Sequence, residues 1–343
     1  AYPGTPSTEI TEYIQGHAQE VRSRWCTNEK TAMEAALGMS YAGKRALVCM
    51  KHVGMNVAAD AFVNSAITGV NGGLVVLAAD DPSMHSSQNE QDSRFYGKFA
   101  MIPILEPSTQ QEAYDMMKYA YALSEEKKLP VLLRVVTRLA HSRAGVVVND
   151  LMPQNALNPD KERTWVLLPA IARRQYASLV AKQPDLVESS EHSPYNGMNA
   201  FEGKAKLGVI ACGIGYNYVM ENDPQSLGIP VLKVSQYPLP EASIKALAAQ
   251  CESLLVAEDG QPLVEEQVKA ILGADYALKG RLTGDLPRMG ELTPDCVGAA
   301  LGVNIEQPYT EAQNVMPRPP ALCQGCGHRD VYDALNKVAA EYE

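Results

Sequence analysis

Six short apolar runs limit what this chain can fold into more than any other feature. They are "RALVCM", "GGLVVLAAD" and "LPVLLRVV" in the first 144 residues, then "KLGVIACGIG", "IPVLKVSQYPLP" and "ESLLVAEDG" after residue 205. A strand with one wet face alternates apolar and polar residues; these runs do not alternate. Continuous apolar runs of this length are strands covered on both faces, as in a parallel sheet. Parallel strands need crossover connections, and the segments between the runs have helical character. "NVAADAFVNSAIT" and the capped stretch "STQQEAYDMMKYAYALSEEKK" separate the early runs, and "EASIKALAAQC" and "PLVEEQVKAILG" separate or follow the later ones. The fold class expected is α/β, with a doubly wound parallel sheet first and a second, smaller α/β layer after it.

Local signals refine the plan. Ser7 or Thr8 is expected to cap a helix running through His17, and "VRSRW" reads as a short strand. A helix over 29–42 is stopped by Gly43. From about residue 145 to 205 the chain is less regular, with the polar, Pro- and Asn-containing stretches "NDLMPQNALNPDKERTW" and "ESSEHSPYNGMNAFEGKAK" around a helical centre, a connector between domains. The expected division is 1–150, connector 151–205, 206–304, and 305–343 as a linker followed by the start of a further domain. The chain opens on "AYPGTPSTEI" without Met and closes one helix after a cysteine motif, so both ends of a longer polypeptide are expected to be missing.

Composition narrows the function classes. The chain has 343 residues, 46% hydrophobic and 20% charged, enough for two to three domains of about 150 residues each. Its net charge of −10 argues against a nucleic-acid partner, since such binding draws on Lys and Arg neutralising phosphates. The seven cysteines are odd in number and scattered, not a disulfide framework, and several lie in apolar runs as small core residues. No signal peptide and no run of about 20 apolar residues is present, so no membrane span is expected, and the home expected is a reducing cytoplasm.

Several constellations could carry chemistry. Gly213 and Gly215 lack the third glycine and the later acid of a dinucleotide fingerprint, and read as turn chemistry. Cys323 and Cys326 form a C-x-x-C followed by Gly327 and His328. No second C-x-x-C completes a metal site, and the glycines, Gly325 included, instead allow backbone to approach a ligand closely. Thr5 lies between two prolines at a loop-to-helix junction. His52, Gly54 and Asn56 follow one apolar strand. His85, Gln88, Asn89, Asp92 and Arg94 lie in the polar loop after the next. Ligands in open α/β sheets bind at the carboxyl ends of strands, so these polar segments at one edge mark a site. Glu29 opens a helix of small residues. On residues alone it reads as a first-turn acid favoured by the helix dipole; the alternative is a buried catalytic carboxyl.

The order "AYPGTPSTEI", "NEKTAMEAALGMSYAGKRALVCMKHVGMN", "LLRVVTRLAHSR", "LCQGCGHRDVYDAL" changes that balance. It resembles the alpha subunits of the indolepyruvate ferredoxin oxidoreductases, a branch of the thiamine-diphosphate-dependent 2-oxoacid:ferredoxin oxidoreductases, over nearly the whole chain. The resemblance implies that residues 1–150 hold the cofactor's pyrimidine, that 206–304 are a transketolase-C-terminal-like domain, and that 305–343 begin the diphosphate-binding domain. It places Glu29 as the cofactor-activating glutamate, whose carboxyl meets the pyrimidine N1′, with His52, Gly54 and Asn56 beside the pyrimidine. It implies Gly325, Gly327 and His328 near the diphosphate, Thr5 and His85 near the substrate, and Cys323 and Cys326 as a pair that ligates a cluster in some relatives.

Related pyruvate enzymes carry an Arg in the loop that here reads "AADDPSMH". Asp80 stands near that point, which cannot hold a carboxylate, so substrate binding must differ, in keeping with an aryl pyruvate. The implied cofactors are thiamine diphosphate, magnesium and [4Fe-4S] clusters, with the magnesium and most cluster ligands outside this chain. The implied reaction is oxidative decarboxylation of an aryl pyruvate with coenzyme A, electrons passing to ferredoxin. The implied partners are a beta subunit and a second copy, as a dimer or an alpha2beta2 assembly. Two rival readings are a thiamine enzyme for another 2-oxoacid and a non-catalytic subunit that kept the fold.

Overall fold

The apolar runs become two five-stranded sheets. In the computed structural model, which describes residues 1–18, 20–159, 165–305, 316, 321–322 and 324–342, the first sheet is built from β1 (Ala46–Lys51), β2 (Leu74–Asp80), β3 (Ile104–Leu105), β4 (Val131–Val136) and β8 (Gln236–Tyr237). Its order is β1-β2-β4-β3-β8. The first four are parallel; β8 joins β3 antiparallel, pairing Ile104 with Tyr237. All seven residues of β2 are buried. Its alternate side chains serve two cores: Val76 and Ala78 meet Met33, Phe62 and Met50 on one face, while Val75, Leu77 and Ala79 meet Met116 and Leu133 on the other. That two-sided burial is why the strand shows no polar alternation; each such side chain contributes roughly 2 kcal/mol.

The helices that cover this sheet start and stop on local signals. In α2 (Glu29–Tyr41), Asn28 Oδ1 accepts from Thr31 N at 2.8 Å, an ordinary N-cap. In α5 (Gln110–Lys127), Thr109 caps through Glu112 N at 3.2 Å. Three local readings are corrected. The helix α1 (Thr8–His17) has no side-chain cap: the Ser7 hydroxyl donates to Gly4 O at 2.8 Å, and Thr8 Oγ1 accepts from Gly4 N at 2.7 Å, so both hydroxyls close the turn before the helix. "VRSRW" forms no strand among the described residues; its ladder-like bonds run to Ala1, whose N donates to Arg24 O at 3.3 Å and whose O accepts from Cys26 N at 2.9 Å. The "HVGMN" segment is not a loop. β1 passes at Lys51 straight into α3 (His52–Thr68), because no Gly or Pro intervenes before the helical residues.

The second sheet has the order β10-β9-β6-β7-β5, from β5 (Gly197–Met198), β6 (Ala205–Cys212), β7 (Val231–Val234), β9 (Cys251–Ala257) and β10 (Ala277–Lys279). It too is parallel except at one edge, where β5 runs antiparallel to β7. The turn after β6 needs glycine: Gly213 has φ +49, and a Cβ there would sit 2.5 Å from Glu106 Cγ. Residues 169–191 form α7 (Pro169–Ala181) and α8 (Gln183–Glu191), which pack on α3 and β8. Ala1–Asn304 form one compact unit and Ile305–Glu343 another. The second unit's described core is α13 (Gly327–Ala339), none of whose residues is buried. Among the described residues, no helix is long and apolar enough to cross a membrane.

Candidate active site

Glu29 is the first residue of α2 and is only 8% exposed. Its carboxylate lies flat against the first turn of α3: a Cβ on Gly54 would come within 2.7 Å of both Glu29 Cγ and Oε1. Only glycine lets the two elements close this way. Two helix starts therefore meet at one carboxylate, its own and that of α3, and both ends carry partial positive charge. Yet among the described residues this carboxylate has no hydrogen-bond or ion-pair partner in the molecule. A carboxylate at this edge with its hydrogen-bonding capacity unused can take a partner from a ligand. That observation fits a pyrimidine nitrogen.

Of the other residues flagged at this edge, His52 and Asn56 share the first turns of α3 with Gly54. His52 is 1% exposed, and its Nε2 lies 3.0 Å from the carbonyl oxygen of Asn89. A carbonyl only accepts, so Nε2 carries the hydrogen and Nδ1 is left as a lone-pair acceptor, buried and unpartnered. Asn56 Nδ2 donates to Gln91 Oε1 at 3.0 Å, and its Oδ1 accepts the Tyr96 hydroxyl. The polar loop after β2 is thus folded down over the head of α3. Thr5 stands exposed in the turn before α1, whose Gly4 backbone rests on Lys51; a Cβ on Gly4 would lie 3.0 Å from Lys51 Cβ. His85 does not join the group around Glu29 through any described contact. It is half exposed and its Nε2 reaches Glu291 Oε1 at 3.4 Å.

Asp80 is not a substrate-facing residue. It is fully buried, and its Oδ2 accepts from Arg134 Nε at 2.6 Å and from Ser93 N at 3.0 Å. It belongs to a buried ionic cluster that the reading of the sequence missed. Arg134 also donates to Glu106, and through Nη2 to the Asp259 carbonyl at 2.8 Å. Arg94, at the start of α4 (Arg94–Ala100), holds Asp92 through Nη2 at 2.5 Å and Glu258 at 3.0 Å. Tyr237 on β8 donates to Glu106 at 2.7 Å, and Arg281 reaches Asp259 at 3.3 Å. The cluster thereby joins the carboxyl ends of both sheets. The signal for it was in the sequence: an Arg in the middle of "VLLRVV", where a fully buried strand has no room for an unpaired charge.

Five acids face three guanidinium groups here, and the excess shows in their proton affinities. Burial pushes Glu258 up to about 7 and Asp259 up to about 6. Burial works against ionising Asp92 too, but Arg134 and Arg94 outweigh it and hold that carboxyl down at about 2. Acids whose folded affinity is raised stabilise the fold below their unfolded value and lose that contribution as pH rises through the folded one. Glu258 and Asp259 therefore withdraw stability between about pH 4 and pH 7, on the order of 3 kcal/mol each; Asp92 acts the other way, near pH 2–4. The melting temperature of the full protein is expected to fall from pH 5.5 to pH 8, and Glu258→Gln to flatten that slope. A Gln variant with the wild-type slope would place the titration elsewhere.

In the second unit, Gly325 has φ +77 in the turn before α13, and Gly327 opens that helix with open space beside it. Cys326 Sγ lies 3.3 Å from His328 Nδ1. Cys323 lies outside the described residues. Among the described residues, no group of three His, Cys, Asp or Glu side chains converges as a metal site.

The family model described as pyruvate flavodoxin/ferredoxin oxidoreductase, thiamine-diphosphate-binding, matches residues 1–185. The chain is 40% identical over 356 residues to the indolepyruvate oxidoreductase subunit IorA of Methanothermobacter thermautotrophicus, covering 100% of this chain and 57% of that protein. It is 40% identical over 370 residues to the same-named subunit of Pyrococcus abyssi, covering 99% and 56%. The chain thus spans a little over half the length of these curated relatives. Among solved structures it resembles 2-oxoglutarate:ferredoxin oxidoreductase from Magnetococcus marinus, with TM-score 0.68, 15% identity, and coverage of 88% of this chain and 60% of that one. A split-gene transketolase gives TM-score 0.55 at 16% identity, covering 88% of each chain. At those identities the likeness is one of fold.

Proposed function

The chain belongs to the pyruvate flavodoxin/ferredoxin oxidoreductase, thiamine-diphosphate-binding family, and from that premise we propose that it is the pyrimidine-binding part of an indolepyruvate:ferredoxin oxidoreductase alpha subunit. The observation that carries this reading is the Glu29 carboxylate, pressed against Gly54 and without a hydrogen-bond or ion-pair partner among the described residues. Residues 1–150 serve as the pyrimidine-binding domain, 151–205 as the connector, 206–304 as the transketolase-C-terminal-like domain, and 305–343 as the start of the diphosphate domain.

Bound thiamine diphosphate supplies the nucleophilic carbon for the 2-oxo group and accepts the electrons left when carbon dioxide departs. The chain's own residues prepare it. Glu29 faces the pyrimidine N1′ and exchanges a proton there. Gly54 leaves the space for the carboxylate. His52, fixed as the Nε2–H tautomer by Asn89, offers Nδ1 as an acceptor, and Asn56 is held ready by Gln91 and Tyr96. Thr5 and His85 stand on the substrate side; Gly325, Gly327 and His328 serve the diphosphate, and Cys326 with Cys323 a cluster. Magnesium and [4Fe-4S] clusters join thiamine diphosphate as cofactors, and a beta subunit, a second copy and ferredoxin complete a cytoplasmic enzyme. The non-catalytic alternative calls for a solvated Glu29, and its burial speaks against that.

The test is anaerobic viologen reduction by the full-length subunit with its beta partner, given thiamine diphosphate, magnesium, coenzyme A and indolepyruvate. Coenzyme-A-dependent turnover with preference for aryl pyruvates is expected. Preference for 2-oxoglutarate or pyruvate would move the reading to another 2-oxoacid, and no turnover of any 2-oxoacid would sink it.

A further inference from the structure

A 2-oxoacid brings a carboxylate to a site that already holds one in Glu29. A carboxylate taken out of water needs a partner of opposite charge there, or it pays its desolvation in full. The site must therefore supply a cation. Arg94, Arg134 and Arg281 are buried and committed to acids. Arg138 is committed to Glu291. Lys51 is different.

Lys51 ends β1 and stands at the head of α3, three residues before Gly54 and so beside the turn that Glu29 touches. It is 8% exposed, with the Gly4 turn that carries Thr5 laid along its stem. Its ammonium donates to Ser86 O at 2.7 Å and Ser86 Oγ at 3.3 Å. The nearest carboxylate oxygen, Asp81 Oδ2, is 3.8 Å away, beyond a hydrogen bond. That carboxylate is already satisfied: it accepts from His85 N at 3.1 Å, Ser86 N at 2.9 Å, the Ser87 hydroxyl and the Thr137 hydroxyl at 2.9 Å. An ammonium has three donors, and among the described residues Ser86 is the only hydrogen-bond partner that Lys51 has. The positive end of α3 adds to the same field.

Resting on the reading of this chain as part of a 2-oxoacid enzyme, we propose that the Lys51 ammonium, beside Thr5 and the head of α3, receives the carboxylate of the substrate. Asp81 tethers the cation electrostatically without filling its hydrogen-bonding capacity, and Ser86 aims it. This supplies the charge that Asp80, locked to Arg134, does not.

The experiment uses the full protein with its beta subunit and two probes: indolepyruvate, and the neutral ketone indol-3-ylacetone, which lacks the carboxylate. Wild-type turnover of indolepyruvate establishes the underlying reading, and its absence overturns that reading whatever the variants do. Given turnover, Lys51→Met is expected to raise KM and Kd for indolepyruvate about 100-fold, the size of a lost charge-assisted hydrogen bond in a dry site. Binding of the ketone should stay within twofold, and Lys51→Arg should restore most of the preference for the acid. Equal weakening of both probes would make Lys51 a brace for the loop after β2. Unchanged binding of both would place the carboxylate elsewhere. Either result overturns the assignment. Lys51→Gln, which keeps a hydrogen bond to Ser86, serves in place of the methionine variant where the latter does not fold.

Discussion

Glu29→Gln is expected to lower turnover of the full enzyme by about a thousandfold or more, with little change in melting temperature. The size follows from the role. Glutamine matches the shape of glutamate but cannot release or take up a proton, and losing a positioned acid–base group costs roughly 10²–10⁴ in rate. The small stability effect follows from the isolation of the side chain. Among the described residues Glu29 makes no hydrogen bond or ion pair, so the fold loses only its attraction to two helix starts, about 1 kcal/mol. Steady-state kinetics on matched wild-type and variant preparations, with thermal melts of both, would decide. A variant within tenfold of wild type would return Glu29 to the part of an ordinary first-turn acid.

Arg134→Met is expected to be the most destabilising of the substitutions considered. The guanidinium is fully buried and touches Asp80, Glu106 and the Asp259 carbonyl. Removing it leaves at least two buried carboxylates without their cation, and breaking a buried pair in this way costs about 3–5 kcal/mol. In a unit of this size that lowers the melting temperature by roughly 10 °C. The penalty should shrink when Asp80→Asn and Glu106→Gln are added, because neutral side chains no longer need the missing charge. A single variant melting within 2 °C of wild type would mean that the cluster repacks or floods without cost. A triple variant no better than the single would show that packing, not charge, sets the loss.

The parallel sheets were legible because two-sided burial leaves a direct mark: β2 is apolar at every position up to Asp80, and so it reads. "VRSRW" misled for the opposite reason. Its Val and Trp favour strands locally, but pairing is a long-range property, and what it meets is Ala1 rather than a strand edge. His52 was placed after the strand but not in the helix that it opens, since a strand that passes directly into a helix leaves no turn residue to read. Asp80 was misjudged because its meaning lies in Arg134, 54 positions away. Lys51 carried a readable signal, an ionisable side chain closing an apolar strand at a ligand-binding edge, but only the contacts of Gly4, Ser86 and Asp81 give it a use. Glu29 was the hardest of all: its residue type and position fit a bland role, and what sets it apart is the absence of a partner, which no string of letters displays.

The two-residue strand β8 has a consequence for how such proteins can be recombined. It leaves the second half of the unit to pair with β3 in the first, and its Tyr237 hydroxyl enters the ionic cluster through Glu106. Cutting between the sheets and grafting the second half of a relative would therefore break one ladder and strand several carboxylates at once. The halves are expected to be inherited together, and a working chimera to need Gln236, Tyr237, Glu258, Asp259 and Arg281 transferred as one block with Asp80, Arg94, Glu106 and Arg134.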